Sequence, residues 1–274
     1  MAPEILADRS LSCRLERAEG LTNAAFVEAR ARLTPESGAK WISVAGALAM
    51  FDGVESPLTQ TFALGLFQMP TTAELITLED FFKYRGARIF HEVSPLADKA
   101  IVGMLVGRGY RPLEMTTVLY LPLRDWTVRR DERVGSANVR IVEREAGDIW
   151  ARTSADGWSE YKEFAHLMLE MSRVIAAAEG NALFLAVLNG QAAGAAGLSI
   201  HEGVALFAGA STIPDWRRQG VQRALLETRF RYARETAGCD LAMMCTAPGS
   251  SSQRNAERQG FRIAYTRTKW SLAG

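Results

Sequence analysis

The sequence predicts an α/β protein built from two tandem copies of one unit. Three observations carry that expectation. Apolar segments of period two alternate with segments of helical period along most of the chain. One ending, strand then helix then Gly-aromatic then strand, occurs twice, over 87–123 and over 240–272. Gly109-Tyr110 of the first falls where Gly260-Phe261 of the second falls, 151 positions later. Between them, the stretch 124–140, RDWTVRRDERVGSANVR, is the most polar and charge-dense part of the middle. Few contacts are expected to cross such a stretch, which places a boundary at about 125–136 and domains at 1–125 and 136–274. A chain of 274 residues is near the upper limit for a single core, which also favours two.

In the first half, residues 40–67 predict two strands around an Asp52-Gly53 turn, and 71–86 predict a helix. The second half opens with an alternating strand, NVRIVE, at 138–143. Helices are expected over 146–158 and 160–180, the latter stopped by Gly180. Residues 182–212 then give three strands joined by two tight turns. Asn189-Gly190 is the stronger hairpin signal, because both positions tolerate positive φ, and Glu202-Gly203 closes the other. Val221, Leu225, Thr228 and Tyr232 recur at helical spacing, and Leu226, Phe230, Ala233 and Ala237 form a second apolar stripe. DLAMMCTA, at 240–247, reads as a strand buried on both faces. A short helix over 250–259, a cap at Gly260 and a last alternating strand over 261–272 complete the chain.

Composition narrows the function. Hydrophobic residues are 48% and charged residues 23%, as in an ordinary globular protein. A formal net charge of +1 gives no steering toward nucleic acid or an anionic membrane, so neither is expected as a partner. Cys13, Cys239 and Cys245 are too few and too irregularly spaced for a disulfide framework or a zinc site. His91 and His201 stand alone in a strand and a turn, and no metal is expected. No run reaches the roughly 18 to 20 apolar residues that a membrane span needs, and the first twenty residues lack the apolar segment of a secretory signal. The expected location is the cytoplasm.

One stretch carries the chemistry. IPDWRRQGVQRALL, at 213–226, sets a charged, glycine-bearing turn between a buried strand and a helix. Free backbone N–H groups at a helix N-terminus, with the positive end of the helix dipole behind them, make a ready anion site. Gly220 lets the backbone approach a phosphate without a Cβ in the way, and Arg217, Arg218 and Arg223 add positive charge. Taken alone, the turn also reads as a solvated basic loop.

The same residues resemble the acetyl-CoA loop of the GNAT acyltransferases, Arg/Gln-x-x-Gly-x-Gly/Ala at the start of a helix. Arg217 and Gly220 occupy the first two fixed positions, and Gln222 stands where that family has Gly or Ala. The departure keeps a backbone N–H at 222, the group a phosphate needs. The later helix and NAERQGF also look like that family's last third, so the resemblance spans roughly 138–272.

The resemblance implies two tandem GNAT-like domains, each a mixed, mostly antiparallel twisted sheet flanked by helices. It implies acetyl-CoA as cosubstrate and a small-molecule amine as acceptor. The amides of Arg218, Gln219, Gly220, Val221, Gln222 and Arg223 would hold the pyrophosphate. Ala210, Ser211 and Thr212 would pair with the pantetheine arm, Pro214 would mark the end of that strand, and Asn255 would touch the cofactor. The first half lacks the turn: its strand-to-helix passage, ALGLFQMPTTAELITLEDF, carries Met69-Pro70, and proline removes a donor. The first copy is therefore expected not to bind acetyl-CoA, leaving a monomer with an internal pseudo-dimer, with a homodimer also open.

Catalytic residues stay unassigned. The position where the family often has a tyrosine acid is Ala256, and the strand VALFAGAST carries neither carboxylate nor histidine. Glu160, Tyr161 and Tyr265 are candidates, and Cys245 lacks a nearby histidine to activate it as a nucleophile. An acyl-CoA-binding regulatory protein without turnover is the alternative function.

Overall fold

A computed structural model describes residues 6–272 except 128–136, 162 and 164. Most of the link expected at 125–136 thus lies outside the described residues. The chain forms two compact units, Met1–Leu121 with Met243–Gly274, and Pro122–Ala242. These differ from the division at 1–125 and 136–274, because residues 243–274 fold with the first unit.

The first unit begins with α1 (Arg9–Leu33), N-capped by the Asp8 carboxylate, which accepts from the Leu11 amide. Strands β1 (Lys40–Val44) and β2 (Ala47–Phe51) follow as an antiparallel hairpin. Its turn is Ala45-Gly46, with φ of 50° and 76°, a hairpin not expected from the sequence; the expected Asp52-Gly53 opens the longer loop to the next strand, Gln60–Phe62, which also pairs antiparallel with β2. Positive φ at both central positions is what a two-residue hairpin turn of type I′ demands. Asp52 directly follows β2, and its buried carboxylate accepts from Arg30 of α1 at 2.8 Å and from Ser56 at 2.7 Å. Three further elements follow: β3 (Gln60–Phe62), α2 (Thr72–Lys83) and β4 (Phe90–Val93). Then come α3 (Ala100–Gly107) and β5 (Tyr110–Pro122).

Alternation along β2 shows how the core divides. Ala47, Ala49 and Phe51 face a cluster with Leu75, Leu78 and Phe82 of α2 and Ile101 and Leu105 of α3. Met50 and Leu48 face the other way, onto Ala24 and Val27 of α1. The period of two that marks a strand therefore sends alternate side chains to helices on opposite faces of the sheet.

The second unit holds β6 (Asn138–Val142), α4 (Gly147–Asp156), α5 (Ala165–Ala177), β7 (Asn181–Leu188), β8 (Gln191–His201), β9 (Val204–Thr212) and α6 (Val221–Arg231). Its four strands pair antiparallel in sequence order. Both expected turns are present: Asn189-Gly190 and Glu202-Gly203 all have positive φ. Trp150 of α4 is fully buried on Leu183, Leu185 and Ala195, and its indole N–H donates to the carbonyls of Phe184 and Ala196, both at 3.2 Å. On α6, Arg229 is buried; its guanidinium donates to the Gly197 carbonyl at 3.1 Å and lies over the Phe207 ring.

The chain passes through β10 (Leu241–Thr246) back to the first unit, then through α7 (Ser251–Arg258) into β11 (Arg262–Leu272). The repeated ending holds in detail. Gly109 and Gly260 take left-handed backbone, φ 87° and 98°, just past the helices α3 and α7, where glycine ends a helix without strain. The order in the first unit is β1-β2-β3-β4-β11-β5, with β10 next to β5. β1 with β2, β2 with β3, β4 with β11 and β11 with β5 pair antiparallel, whereas β3 pairs with β4 in parallel through Thr61 and His91. The last strand of the second copy thus lies between two strands of the first, and the last strand of the first lies beside one of the second. No helix among the described residues is long and apolar enough to cross a membrane.

Candidate active site

In the second unit, strand β9 leads into the turn singled out in the sequence. Gly197 of β8 stands opposite Ala208, whereas Ala195 stands opposite Ser211, so two residues of β9, Gly209 and Ala210, face one of β8. That is a β-bulge, with Gly209 at φ 59°, and it re-aims the strand just before Ala210–Thr212. The strand ends at Thr212, and a last backbone hydrogen bond to β8, from the Ile213 amide to the Ala193 carbonyl at 3.0 Å, falls just before Pro214.

The turn itself alternates backbone states. Arg217 is extended, Arg218 has φ 64° and Gly220, the N-cap of α6, has φ 80°. Alternation of this kind gathers successive N–H groups toward one concavity. No side chain caps α6, and no acidic residue sits in its first turn. Its first internal hydrogen bond runs from the Ala224 amide to the Gly220 carbonyl at 2.9 Å. The amides of Val221 and Gln222 precede it and have no acceptor within the helix.

Close backbone approach seats this turn. A Cβ at Gly194 of β8 would lie 2.8 Å from Val221 and 2.8 Å from the Ser211 carbonyl, so only glycine lets the first residue of α6 pack there. A Cβ at Gly157, just past α4, would fall 2.5 Å from Ser211, whose hydroxyl donates to the Ser154 carbonyl at 2.9 Å. The α4 end and β9 are thereby held against each other.

Arg217 has a role the sequence does not reveal. Its guanidinium donates to Glu160 at 2.5 Å and to the carbonyls of Gly157 and Thr212, at 3.1 and 3.3 Å. It ties the turn to the end of α4 and to β9. The pair with Glu160 is half exposed, so solvent screens it. Arg223 pairs with Glu227 at 2.8 Å, and Gln219 donates to the Asp215 carbonyl at 3.0 Å.

Between these elements opens a cavity of about 550 Å³. Ala210, Ser211, Thr212, Arg217, Arg218, Gly220, Val221, Gln222 and Arg223 line it, and so do Glu160 and Tyr161. Trp158 and Trp216 also line it and were not anticipated. Asn255 lies on α7 in the other unit, exposed, accepting from Arg258 at 3.4 Å. Tyr265 is buried in that unit and donates to Glu16 at 3.0 Å. Burial pushes the Cys245 thiol well above its ordinary value, and the Glu19 carboxylate that accepts its hydrogen adds to the rise. That thiol is a poor nucleophile.

The model of the "Acetyltransferase (GNAT) family" matches residues 144–261. No protein of curated function matches the sequence. Solved structures share the fold. A GCN5-related N-acetyltransferase from Kribbella flavida is 18% identical, with a TM-score of 0.60 over 92% of this chain and 96% of that one. A conserved protein of unknown function from Bacteroides thetaiotaomicron is 10% identical, with a TM-score of 0.60 over 98% of both chains. A tandem GNAT protein from the clavulanic acid biosynthesis pathway is 14% identical, with a TM-score of 0.55 over 84% of this chain and 80% of that one. The fold is therefore that of tandem GNAT-like domains.

Proposed function

With a GNAT acetyltransferase domain at residues 144–261 as the premise, we propose that the protein transfers an acetyl group from acetyl-CoA to the amine of a small-molecule acceptor. The observation that carries the reading is the uncapped N-terminus of α6 opening on the 550 Å³ cavity. Left-handed Gly220, the free-facing amides of Val221 and Gln222 and the basic turn suit a pyrophosphate. The cavity volume lies in the range of small-ligand sites. Bound there, acetyl-CoA would bring an activated acyl thioester. The chain's own part is to hold the pyrophosphate on the turn and to align the arm along Ala210–Thr212 past the bulge. Trp158 and Tyr161, each about half exposed, offer aromatic surface to an acceptor, and Glu160 and Tyr161 are the ionisable groups at hand for its proton.

A second reading is a protein that binds acyl-CoA without turnover. It is favoured by the commitment of Glu160 to Arg217 and by the lack of any ionisable side chain on β9. Incubation with labelled acetyl-CoA and a panel of small amines separates the two. Acetylated product supports the enzyme; tight cofactor binding without product from any amine supports the binder. No binding of acetyl-CoA at all would overturn both.

A further inference from the structure

The unit of Met1–Leu121 and Met243–Gly274 contains its own cavity, of about 290 Å³. Its floor is an ion cluster with unequal charge. Arg267 of β11 is fully enclosed and meets three carboxylates. Glu16 of α1 accepts from it at 3.0 Å, Glu19 of α1 accepts in bidentate fashion at 2.5 and 2.7 Å, and Glu92 of β4 pairs with it as well. One guanidinium cannot balance three carboxylates. A fourth, Glu114 of β5, lines the same cavity and is paired with Lys269 at 2.9 Å.

Desolvation makes this excess expensive. Burial pushes the Glu92 carboxyl up to about 7, against the pull of Arg267. Burial raises Glu16 too, again despite Arg267. It also opposes the charge on Glu19, but the bidentate Arg267 contact prevails and holds that group below the usual range. The cluster is left short of positive charge.

A separate observation shows what else is lacking. Apart from Arg267 Nε and Glu92 Oε2, which pair with each other, two buried polar atoms on residues that line the cavity have no hydrogen-bond partner, Gln60 Oε1 and Thr246 Oγ1. Gln60 is 5% exposed and Thr246 is 7% exposed. The Gln60 amide nitrogen donates to Glu92 at 3.3 Å, so its oxygen remains an acceptor in want of a donor. Buried polar groups are rarely left so. Leu58 and Phe62 supply an apolar side to the same cavity. Among the described residues, no group of three or more His, Cys, Asp or Glu side chains could hold a metal ion.

We propose that this cavity is a binding site for a primary alkylammonium ion. An –NH3+ group brings one positive charge and three donors. Glu92, Gln60 Oε1 and Thr246 Oγ1 are the acceptors, and the carbon chain lies along Leu58 and Phe62. The site is independent of the cofactor reading above, because every residue in it belongs to this unit.

The test is calorimetric titration of the full chain with n-butylammonium chloride, beside n-butanol and tetramethylammonium chloride. The first should bind saturably at one site. The alcohol lacks the charge and tetramethylammonium lacks the donors, so each should bind at least about tenfold more weakly. Thr246→Val and Gln60→Met preserve shape, and each should weaken n-butylammonium binding about fivefold or more. Glu92→Gln should weaken it further.

Binding should strengthen as pH rises from about 6 to 8, because Glu92 sheds its proton there while the amine stays charged. The other titratable or charged groups acting on Glu92 are Glu16, Glu19, Arg267 and Lys269, and Glu114 and Cys245 line the same cavity. Cys245 is held in its thiol form through that window by burial. No saturable n-butylammonium binding to the wild-type chain would overturn the proposal. So would equal affinity for all three probes, or unchanged affinity in a folded Thr246→Val and a folded Glu92→Gln.

Discussion

Helices α2 and α6 follow corresponding strands in the two copies, yet their N-termini end in opposite ways. At α2 the chain satisfies itself. The Thr71 hydroxyl accepts from the Glu74 amide at 3.2 Å, and the Glu74 carboxylate accepts from the Thr71 amide at 2.8 Å. That reciprocal pair is a capping box, and it also sets a negative charge at the positive end of the helix dipole. The hydrogen bonds from the Thr71 amide and hydroxyl hold Glu74 below the usual carboxylate range. At α6 the N-cap is a left-handed glycine, no side chain caps it, and the first turn carries Arg223 where α2 has Glu74. A capped N-terminus has little left to offer an anion. One with a glycine N-cap and no capping side chain forgoes only about a few tenths of a kcal/mol of helix stability and leaves its donors open to a ligand.

The comparison can be broken at three points. The largest effect is expected at Gly220. A valine there must hold φ near 80° and set a branched side chain over the amides, a strain of about 1 to 3 kcal/mol. Acetyl-CoA affinity should fall about 10- to 100-fold by calorimetry, with the circular dichroism spectrum unchanged. Wild-type affinity in a folded Gly220→Val would mean that α6 is not the anion site. A smaller effect is expected from Arg217→Ala. It removes the tie to Glu160, Gly157 and Thr212 but leaves the amides in place. Since the ion pair is half exposed, affinity should drop about fivefold at most. A loss larger than that of Gly220→Val would make the arginine, not the backbone, the principal contact. The least effect on binding is expected from Thr71→Ala. Thermal unfolding should show a loss of about 1 kcal/mol from the missing cap, with acetyl-CoA affinity unchanged. A shift in affinity would show that the first copy takes part in holding the cofactor.

The turns of the second unit were legible because Asn189-Gly190 and Glu202-Gly203 carry residue types suited to positive φ. The hairpin at Ala45-Gly46 was not, since alanine gives no such signal and Asp52-Gly53 nearby gives a stronger one. Helix α1 escaped notice for a different reason. Its buried face includes Ser12, Glu16 and Arg30, which interrupt the apolar period that marks a core-facing helix. The alternation in TRTKWSL identifies β11 as a strand but says nothing about its neighbours. That it lies between β4 and β5 is a long-range choice, and it is why 243–274 fold with the first unit. At the candidate site, the backbone signal of Gly220 was readable. The bulge at Gly209 and Ala210 depends on the register with β8, and the Arg217 contacts reach residues 57 and 60 positions away.

The claim that one helix N-terminus is kept open and its counterpart is closed has a direct measure in binding stoichiometry. Calorimetric titration of the intact chain with acetyl-CoA should show one equivalent bound per polypeptide, lost on Gly220→Val and retained on Thr71→Ala. Two equivalents of similar affinity would mean that the first copy has a working cofactor site despite its capping box, and would contradict the account.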